Sequence, residues 1–363
     1  MTLIDRVHVT AYRIPTDAPE ADGTLAWDST TIVVVECHAG KVTGIGYTYA
    51  GPATARLIVD MLAPVVSGND AMDVPALWSA MVHTIRNEGR PGIASMAISA
   101  VDAALWDLKA RLLDVSLITL LGAVRDAVPV YGSGGFTSYP VEHLESQLAQ
   151  WIADGIPRVK MKVGTHPSDD PARVHAARQA IGDRHELFVD ANGAYDRKQA
   201  LRLADVFAGE GVSWFEEPVS SDDLDGLRLL RDRAPAGIDI AAGEYGYDLW
   251  YFRRMLDAGA VDVLQADASR CGGISNLLRV GAVCDARSMP LSAHTAPSLH
   301  AHACCALSSV RHIEYFHDHA RIEHLLFDGA LYPVGGALRP DRSRPGLGLT
   351  LKHGDVERWR LAI

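Results

Sequence analysis

Three acidic residues, each at the end of a short apolar segment, are the strongest chemical feature of the sequence. Asp190 follows Leu187-Phe188-Val189. Glu216 and Glu244 end two later apolar segments, the first 26 residues after Asp190 and the second 28 residues after Glu216. If these segments are neighbouring parallel strands, the three carboxylates meet at one rim of the sheet. Carboxylates that close repel one another and lose hydration, and a divalent cation offsets both costs. Because oxygen ligands suit magnesium, the spacing predicts a Mg2+ site.

Two lysines occupy the strand expected just before Asp190. In the segment Arg158-Val159-Lys160-Met161-Lys162-Val163, Lys160 and Lys162 share one face, because side chains alternate along a strand. Lysine is almost never buried without a partner, and a neighbouring ammonium group lowers the pKa of each. One of the two is therefore a candidate general base near neutral pH. The alternative is a pair of lysines at a solvated barrel mouth.

A second acid–base group is expected at the ends of the last apolar segments. The sixth segment ends at Asp267 and the seventh at His294, so neighbouring strands would bring this carboxylate to the imidazole. A carboxylate that holds an imidazole fixes its tautomer and raises its basicity. The eighth segment ends near Glu314, which is either a hydrogen-bonding acid or a salt-bridge partner.

Four further residues are candidate substrate contacts. Asn192 follows Asp190 and either binds substrate or only closes the turn, and Ser133 follows the first barrel strand. His317 lies just beyond the eighth strand, in a region rich in histidine. Trp27 is the only tryptophan of a polar segment, residues 15–30, which is either a lid over the site or an ordinary long hairpin loop.

These residues require an array of parallel strands. Short apolar segments alternate with amphipathic segments from Gly122 onward, a pattern that predicts eight parallel strands separated by seven helices. The predicted strands span residues 128–132, 158–163, 187–191, 213–217, 238–243, 261–266, 290–293 and 311–314. The predicted helices span residues 141–153, 169–181, 197–209, 222–233, 248–258, 273–287 and 298–308. An open doubly wound sheet is the competing architecture, but the sequence lacks the GxGxxG turn such sheets carry after their first strand.

The remaining segments are predicted to form a second unit. Strands at residues 3–14 and 31–37 precede helices at 53–66, 73–86 and roughly 93–113, which together make an α+β domain over residues 1–125. Residues 126–329 then form the barrel. The glycines of the tail, residues 330–363, suit a loop that crosses back to pack on the N-terminal unit.

Composition limits the classes of partner and compartment. The chain has 363 residues, 48% of them hydrophobic, and a net charge of -11, which argues against nucleic acid or an anionic membrane as partner. Five cysteines without a CxxC pair favour buried free thiols in a reducing compartment. The N-terminus shows no basic and apolar leader pattern and no segment reaches the length of a membrane span, so we expect a cytoplasmic protein.

Taken together, the motifs resemble the enolase superfamily and, within it, the mandelate racemase-like subgroup (mandelate racemase/muconate lactonizing enzyme family). The resemblance covers nearly the whole chain. The matching motifs are Ala100-Val101-Asp102-Ala103-Ala104-Leu105-Trp106-Asp107, Lys160-Met161-Lys162, the acids Asp190, Glu216 and Glu244, the pair Asp267 and His294, Glu314, and Arg344-Pro345-Gly346-Leu347-Gly348.

The resemblance implies a fold and a first chemical step. The fold is a (β/α)7β TIM-like barrel with an N-terminal α+β capping domain, in a homo-oligomer that is often an octamer. The step is abstraction of the proton α to a carboxylate, which gives an enediolate held by magnesium. In that scheme Lys162 is the base and Lys160 tunes it. His294, oriented by Asp267, is the acid or base on the other face, and Glu314 hydrogen-bonds a carboxylate oxygen of the substrate, which requires Glu314 to be protonated or to share a proton.

Two bases on opposite faces permit dehydration or racemisation. The polar segment 15–30 and the many histidines favour dehydration of an acid sugar (an aldonate or aldarate) to a 2-keto-3-deoxy acid. The alternative is a racemase or epimerase of a 2-hydroxy acid. Cycloisomerisation and N-acyl amino acid racemisation are less favoured, because the resembling subgroups with those activities carry lysine where this chain has His294. A non-catalytic barrel homologue is disfavoured because it has no physical reason to keep buried charges.

Overall fold

An antiparallel sheet and a set of helices form the N-terminal part of the computed structural model, which describes residues 2–363. The sheet has three strands, which pair in chain order. Its strands are β1 (Arg6–Ala21), β2 (Ala26–Ala39) and β3 (Val42–Tyr49). The helices that follow are α1 (Pro52–Leu57), a π-helical turn (Ile58–Leu62), α2 (Ala63–Val66), α3 (Val74–Thr84), a 3-10 turn (Ile85–Asn87), α4 (Ile93–Leu112) and α5 (Leu117–Leu121).

The prediction of a long polar loop at residues 15–30 is wrong, because β1 and β2 extend into this segment and form a β-hairpin with a short turn. The hairpin turns where Asp22 Oδ1 accepts hydrogen bonds of 2.7 Å from the backbone N–H groups of Thr24 and Leu25. Its tip is held by the barrel, since a Cβ on Gly23 would lie 2.3 Å from the carbonyl oxygen of Ala191. The contact with Ala191 comes from a residue far away in sequence, which a local polar pattern does not reveal.

Eight parallel strands form the second part and close into a barrel, because the last strand pairs with both the strand before it and the first strand. The strands are β4 (Val128–Gly134), β5 (Arg158–Lys162), β6 (Glu186–Asp190), β7 (Val212–Glu216), β8 (Asp239–Ala242), β9 (Val263–Ala266), β10 (Leu291–Ala293) and β11 (Val310–Phe316). The helices are α6 (Val141–Ala153), α7 (Asp170–Ile181), α8 (Arg197–Gly209), α9 (Leu224–Arg233), α10 (Leu249–Ala258), α11 (Ile274–Ala286), α12 (Pro297–Cys305) and α13 (His317–Leu326). The predicted barrel is confirmed, with seven helices connecting its strands and α13 following the last one.

The barrel strands are apolar on the outside and mixed on the inside. On β5, Val159 and Met161 pack into the main hydrophobic core, while Lys160 and Lys162 occupy the alternate positions. Deeper in the barrel Phe188 stacks on Trp214, with ring centroids 5.3 Å apart. This aromatic cluster fills the interior, so the polar chemistry is confined to the C-terminal mouth.

The end of the chain returns to the N-terminal part. Its short elements are β12 (Phe327–Asp328), β13 (Ala337–Leu338), β14 (Thr350–Leu351), α14 (His353–Val356) and a 3-10 turn (Glu357–Trp359). The backbone N–H of Leu361 donates to the carbonyl of Ala11 on β1, at 2.8 Å. The buried Asp107 of α4 accepts from the N–H groups of Ile45 and Leu347, which ties β3, α4 and the tail together.

Asp102 connects the two parts of the chain directly. This buried residue of α4 accepts hydrogen bonds from the backbone N–H and the hydroxyl of Ser275 on α11, at 2.9 and 2.6 Å. All five cysteines are buried and unpaired, as predicted. Within residues 2–363, no helix is both long and apolar enough to cross a lipid bilayer.

Close packing of α4 on β3 leads to a stability prediction for Gly46. A Cβ there would lie 2.2 Å from the carbonyl oxygen of Ala100, so Gly46→Ala must push the helix away from the sheet. Overpacking of this kind lowers the free energy of unfolding by about 1–3 kcal/mol, which should lower the urea midpoint. The control is Gly209→Ala, at an exposed helical position where a Cβ meets nothing within 4 Å. Unchanged unfolding of Gly46→Ala would contradict the tight helix–sheet contact.

Candidate active site

The three predicted metal ligands meet at the mouth of the barrel. Strand register places Asp190 beside Glu216, and Glu244 follows two residues after the end of β8. One carboxylate oxygen of each lies within 4.8 Å of the others, and all three residues are buried. The convergence expected from their spacing is therefore present in the structure.

The same carboxylates show the features of a cation site. Glu244 Oε2 is buried and makes no hydrogen bond with other described residues, although His294 Nε2 lies 3.3 Å away. Burial and the charge of Asp190 raise the pKa of Glu216 to about 8, so ionisation of the whole set is costly without more positive charge. A divalent ion with oxygen ligands would supply that charge, and these residues fit it.

Two buried lysines balance part of the negative charge. Lys160 Nζ lies 2.6 Å from Glu216 Oε1 and 2.8 Å from Glu314 Oε1, and Lys162 Nζ lies 2.5 Å from Asp190 Oδ2. Burial lowers the pKa of Lys162, and Lys160 lowers it further, as predicted. The net direction is nevertheless upward, because the charges of Asp190, Glu244 and Glu216 together raise the pKa of Lys162 above its usual value.

His294 and Asp267 form the predicted pair. His294 Nδ1 is 2.9 Å from Asp267 Oδ2, and Asp267 Oδ1 accepts from the backbone N–H of Ser269 at 2.6 Å. The carboxylate thus fixes the imidazole with Nε2 directed toward Glu244. Burial lowers the pKa of His294, but the charge of the nearby Glu244 and the hydrogen bond to Asp267 raise it to about 9.

Glu314 is an ion-pair partner in this arrangement rather than a protonated acid. Burial raises the pKa of Glu314, yet Lys160 and His294 outweigh burial and bring it below its usual value. Ser133 donates to Glu314 Oε1 at 2.6 Å and the backbone N–H of Thr295 donates to Oε2 at 3.2 Å. Of the two expected states, a protonated Glu314 is disfavoured, because Lys160 lies closer than sequence spacing could show.

A cavity of about 370 Å³ opens above these groups. Six of the predicted residues contribute to its wall, namely Trp27 from the hairpin and five residues of the barrel. They are Lys162, Asn192, Glu244, His294 and Glu314. Asn192 Oδ1 accepts from Lys162 Nζ at 3.1 Å, so Asn192 also positions the lysine.

Two predicted substrate contacts are not brought to the cavity. Ser133 is fully buried behind Glu314 and does not line the cavity. His317 turns away from it, because its Nε2 hydrogen-bonds Asp17 Oδ2 at 2.9 Å on the hairpin. Two residues further on, His319 does line the cavity and stacks on Tyr49 with ring centroids 3.4 Å apart.

Arg270 contributes to the site but was not among the residues predicted from the sequence. This residue lies in the loop after β9, lines the cavity and places Nη1 3.5 Å from Glu244 Oε1 and Nε 3.7 Å from Asp267 Oδ2. It is the cation opposite the two lysines. Its position three residues beyond Asp267, on the loop of a strand end, was the available signal.

Comparison with known proteins gives matches over both parts of the chain. Residues 6–122 match the family described as "Mandelate racemase / muconate lactonizing enzyme, N-terminal domain", and residues 143–356 match "Enolase C-terminal domain-like". A 3,6-anhydro-alpha-L-galactonate cycloisomerase from Streptomyces coelicolor is 35% identical, with 99% of this chain and 100% of that protein covered. Other relatives, between 30% and 32% identical, are three acid-sugar dehydratases and a further cycloisomerase.

Solved structures agree over the full length. A mandelate racemase/muconate lactonizing enzyme-like protein from Rubrobacter xylanophilus superposes with a TM-score of 0.97 at 58% identity, covering 99% of both chains. L-talarate/galactarate dehydratase from Salmonella typhimurium, solved with Mg and L-lyxarohydroxamate, has a TM-score of 0.90 at 28% identity and covers 99% of this chain and 93% of its own.

Proposed function

Because the chain belongs to the mandelate racemase/muconate lactonizing enzyme family and is an enzyme of the enolase superfamily, we propose that it dehydrates an acid sugar to a 2-keto-3-deoxy acid. The observation that carries the proposal is the placement of Lys162 and of the Asp267–His294 pair on two sides of one cavity, beside the carboxylate triad. β5 and β10 are separated by β4 and β11 on one side, and by the triad strands β6, β7 and β8 together with β9 on the other.

Lys162 removes the proton α to the substrate carboxylate. Mg2+ held by Asp190, Glu216 and Glu244 would neutralise these carboxylates and stabilise negative charge on a substrate oxygen. Lys162 Nζ is held by Asp190 and Asn192, so its affinity for a proton depends on how much charge Asp190 retains. Lys160 is engaged by Glu216 and Glu314 and keeps the charge of this side of the site balanced.

His294 completes the elimination. After the α C–H bond breaks, the electrons form a double bond between the α and β carbons and expel the β-hydroxyl group. The hydroxyl takes a proton from His294 and leaves as water, and the enol product tautomerises to the 2-keto acid. Asp267 holds the imidazole through Nδ1, which leaves Nε2 as the proton donor on the cavity side.

A hydroxylated carboxylate suits the cavity wall. Arg270 offers N–H donors, Asn192 an amide and Thr30 a hydroxyl oxygen that can accept, beside the ring of Trp27, around a space of about 370 Å³. Carbohydrate acids are named as the substrates of the relatives, and one solved relative holds a sugar-acid analogue together with Mg. These similarities support an acid sugar as the substrate class.

A cycloisomerase is the second candidate, favoured by the cycloisomerase relative that is matched over its whole length. The same two residues could perform both reactions. If the oxygen on the β carbon belongs to a ring ether, its expulsion opens the ring and releases no water, so the product is an isomer of the substrate. Our expectation from the sequence, which placed cycloisomerisation behind dehydration, rested on His294 and not on the leaving group.

A substrate screen tests the proposal. The enzyme with Mg2+ is incubated with a library of aldonates, aldarates, their lactones and anhydro sugar acids, and products are measured by mass spectrometry and 2-keto acid assay. We expect a 2-keto acid lighter than its substrate by one water. A 2-keto acid of unchanged mass would favour the cycloisomerase. Inverted stereochemistry without keto acid would favour a racemase or epimerase, and no turnover or α-proton exchange in the whole library would favour a non-catalytic homologue.

A further inference from the structure

A second group of potential metal ligands lies outside the site described above. It joins Asp17 and Glu20 on the outer half of β1 to His317 at the start of α13. One carboxylate oxygen of each acid and one ring nitrogen of His317 all lie within 4.8 Å of one another. None of these residues has a role in the proposed elimination.

Glu20 is the member that most needs a partner. Its side chain is 1% exposed, and Oε1 is buried without a hydrogen bond from any described residue. Its other oxygen, Oε2, accepts from Trp27 Nε1 at 2.8 Å. A buried carboxylate oxygen without a donor is costly, and the Glu20 carboxylate has one oxygen within 4.8 Å of a second carboxylate and an imidazole.

The surrounding charges leave this group electronegative. Burial and the nearby charges of Asp318 and Asp17 raise the pKa of Glu20 to about 8. Arg321 is the neighbouring cation, but its Nη2 is already bound to Asp318 Oδ1 and to the carbonyl oxygen of Pro15. Among the described residues, no arginine or lysine forms an ion pair with Glu20 or Asp17, so a cation that replaces the Glu20 proton would supply positive charge that this group lacks.

We propose that Asp17, Glu20 and His317 bind a divalent transition-type cation such as Zn2+. Two carboxylate oxygens and one imidazole nitrogen form a mixed donor set that suits Zn2+ better than Mg2+, which prefers oxygen alone. The side chain of Asp17 is 47% exposed and that of His317 is 25% exposed, so the ion can enter from solvent and keep a water ligand. This site is separate from the triad, whose ligands are all carboxylates.

The cation would connect the β1–β2 hairpin to the barrel. Asp17 and Glu20 belong to β1, whereas His317 follows the last barrel strand, so one ion would join elements about 300 residues apart in sequence. Glu20 also holds Trp27, whose ring packs edge-on against Phe136 with centroids 5.6 Å apart. Because Trp27 lines the cavity, the ion would fix one wall of the substrate site without contacting substrate.

Zinc content per chain tests the proposal. The full-length protein and its variants are dialysed against Zn2+ in saturating Mg2+, and bound metal is measured by elemental mass spectrometry. We expect Glu20→Gln and His317→Ala to hold one Zn2+ fewer per chain than the wild type. Asp28→Asn, an exposed acid of the same hairpin that lies outside the cluster, should keep the wild-type content. Any zinc on the triad is common to all four proteins and cancels in the difference.

Thermal unfolding provides the second readout. Zn2+ should raise the Tm of the wild type and of Asp28→Asn by more than that of Glu20→Gln, since a ligand that binds only the folded state stabilises it. If Glu20→Gln does not fold, His317→Ala gives the same comparison at a partly exposed position. Equal zinc content in the wild type and in the folded variants would overturn the proposal, whatever the catalytic activity turns out to be.

Discussion

Replacement of His294 by asparagine is expected to slow the release of 2-keto acid by roughly 10²–10⁴-fold, the range that one general acid supplies. Asparagine can still contact Asp267 but cannot deliver a proton to the leaving hydroxyl group. Because Lys162 and the triad are unchanged, the substrate should still exchange its α-proton with solvent deuterium. The variant would therefore separate proton removal from elimination, as followed by proton NMR alongside the keto acid assay.

His175→Asn is the matched control for that experiment. His175 is 59% exposed and pairs with Glu210 on the barrel exterior, so its loss should leave both rates unchanged. If His294→Asn lost deuterium exchange together with keto acid, His294 and not Lys162 would be the residue that removes the α-proton.

Replacement of Lys162 by alanine is expected to abolish both exchange and keto acid formation, by at least about 10³-fold. In the part of the chain that the structure describes, residues 2–363, Lys162 is the only lysine in the wall of the cavity, and Lys160 is fully buried behind it between Glu216 and Glu314. Lys160 therefore cannot replace it without breaking two short ion pairs. A proportional loss in both assays would place Lys162 at the first step.

Lys198→Ala, on the exposed face of α8, controls for loss of a positive charge. Metal content must be measured in the Lys162 variant as well, since Lys162 contacts the triad residue Asp190. Retained exchange in a folded, metal-loaded Lys162→Ala protein would remove the lysine from the mechanism.

The barrel and its rim could be predicted from sequence because their signals are local and periodic. Each strand is a short apolar segment, and each acid sits at its end, so one β/α repeat fixes both the element and the position of Asp190, Glu216 or Glu244. The Asp267–His294 pair followed from the same rule, because neighbouring parallel strands present equivalent positions at equal depth.

Other features depend on contacts that the sequence does not encode locally. The hairpin formed by β1 and β2 is held by the barrel through Gly23 and Thr137, which lie far apart in the chain. The ionisation of Lys162 was predicted from Lys160 alone, and that of Glu314 from a substrate carboxylate alone. In the structure several charged partners set the pKa of each side chain. His317 was assigned to the cavity from its place after β11, but the first turn of α13 directs it to Asp17 instead.

The most direct test of the account is exchange of a substrate α-proton in deuterated water, with and without Mg2+. For any acid sugar that the enzyme turns over, we predict that in the presence of Mg2+ either the α-proton exchanges with solvent deuterium or the elimination product carries deuterium. Both signals should be lost after chelation of the metal and in Asp190→Asn. Turnover that persists at full rate after complete removal of divalent metal would contradict the claim that the three carboxylates hold a catalytic cation.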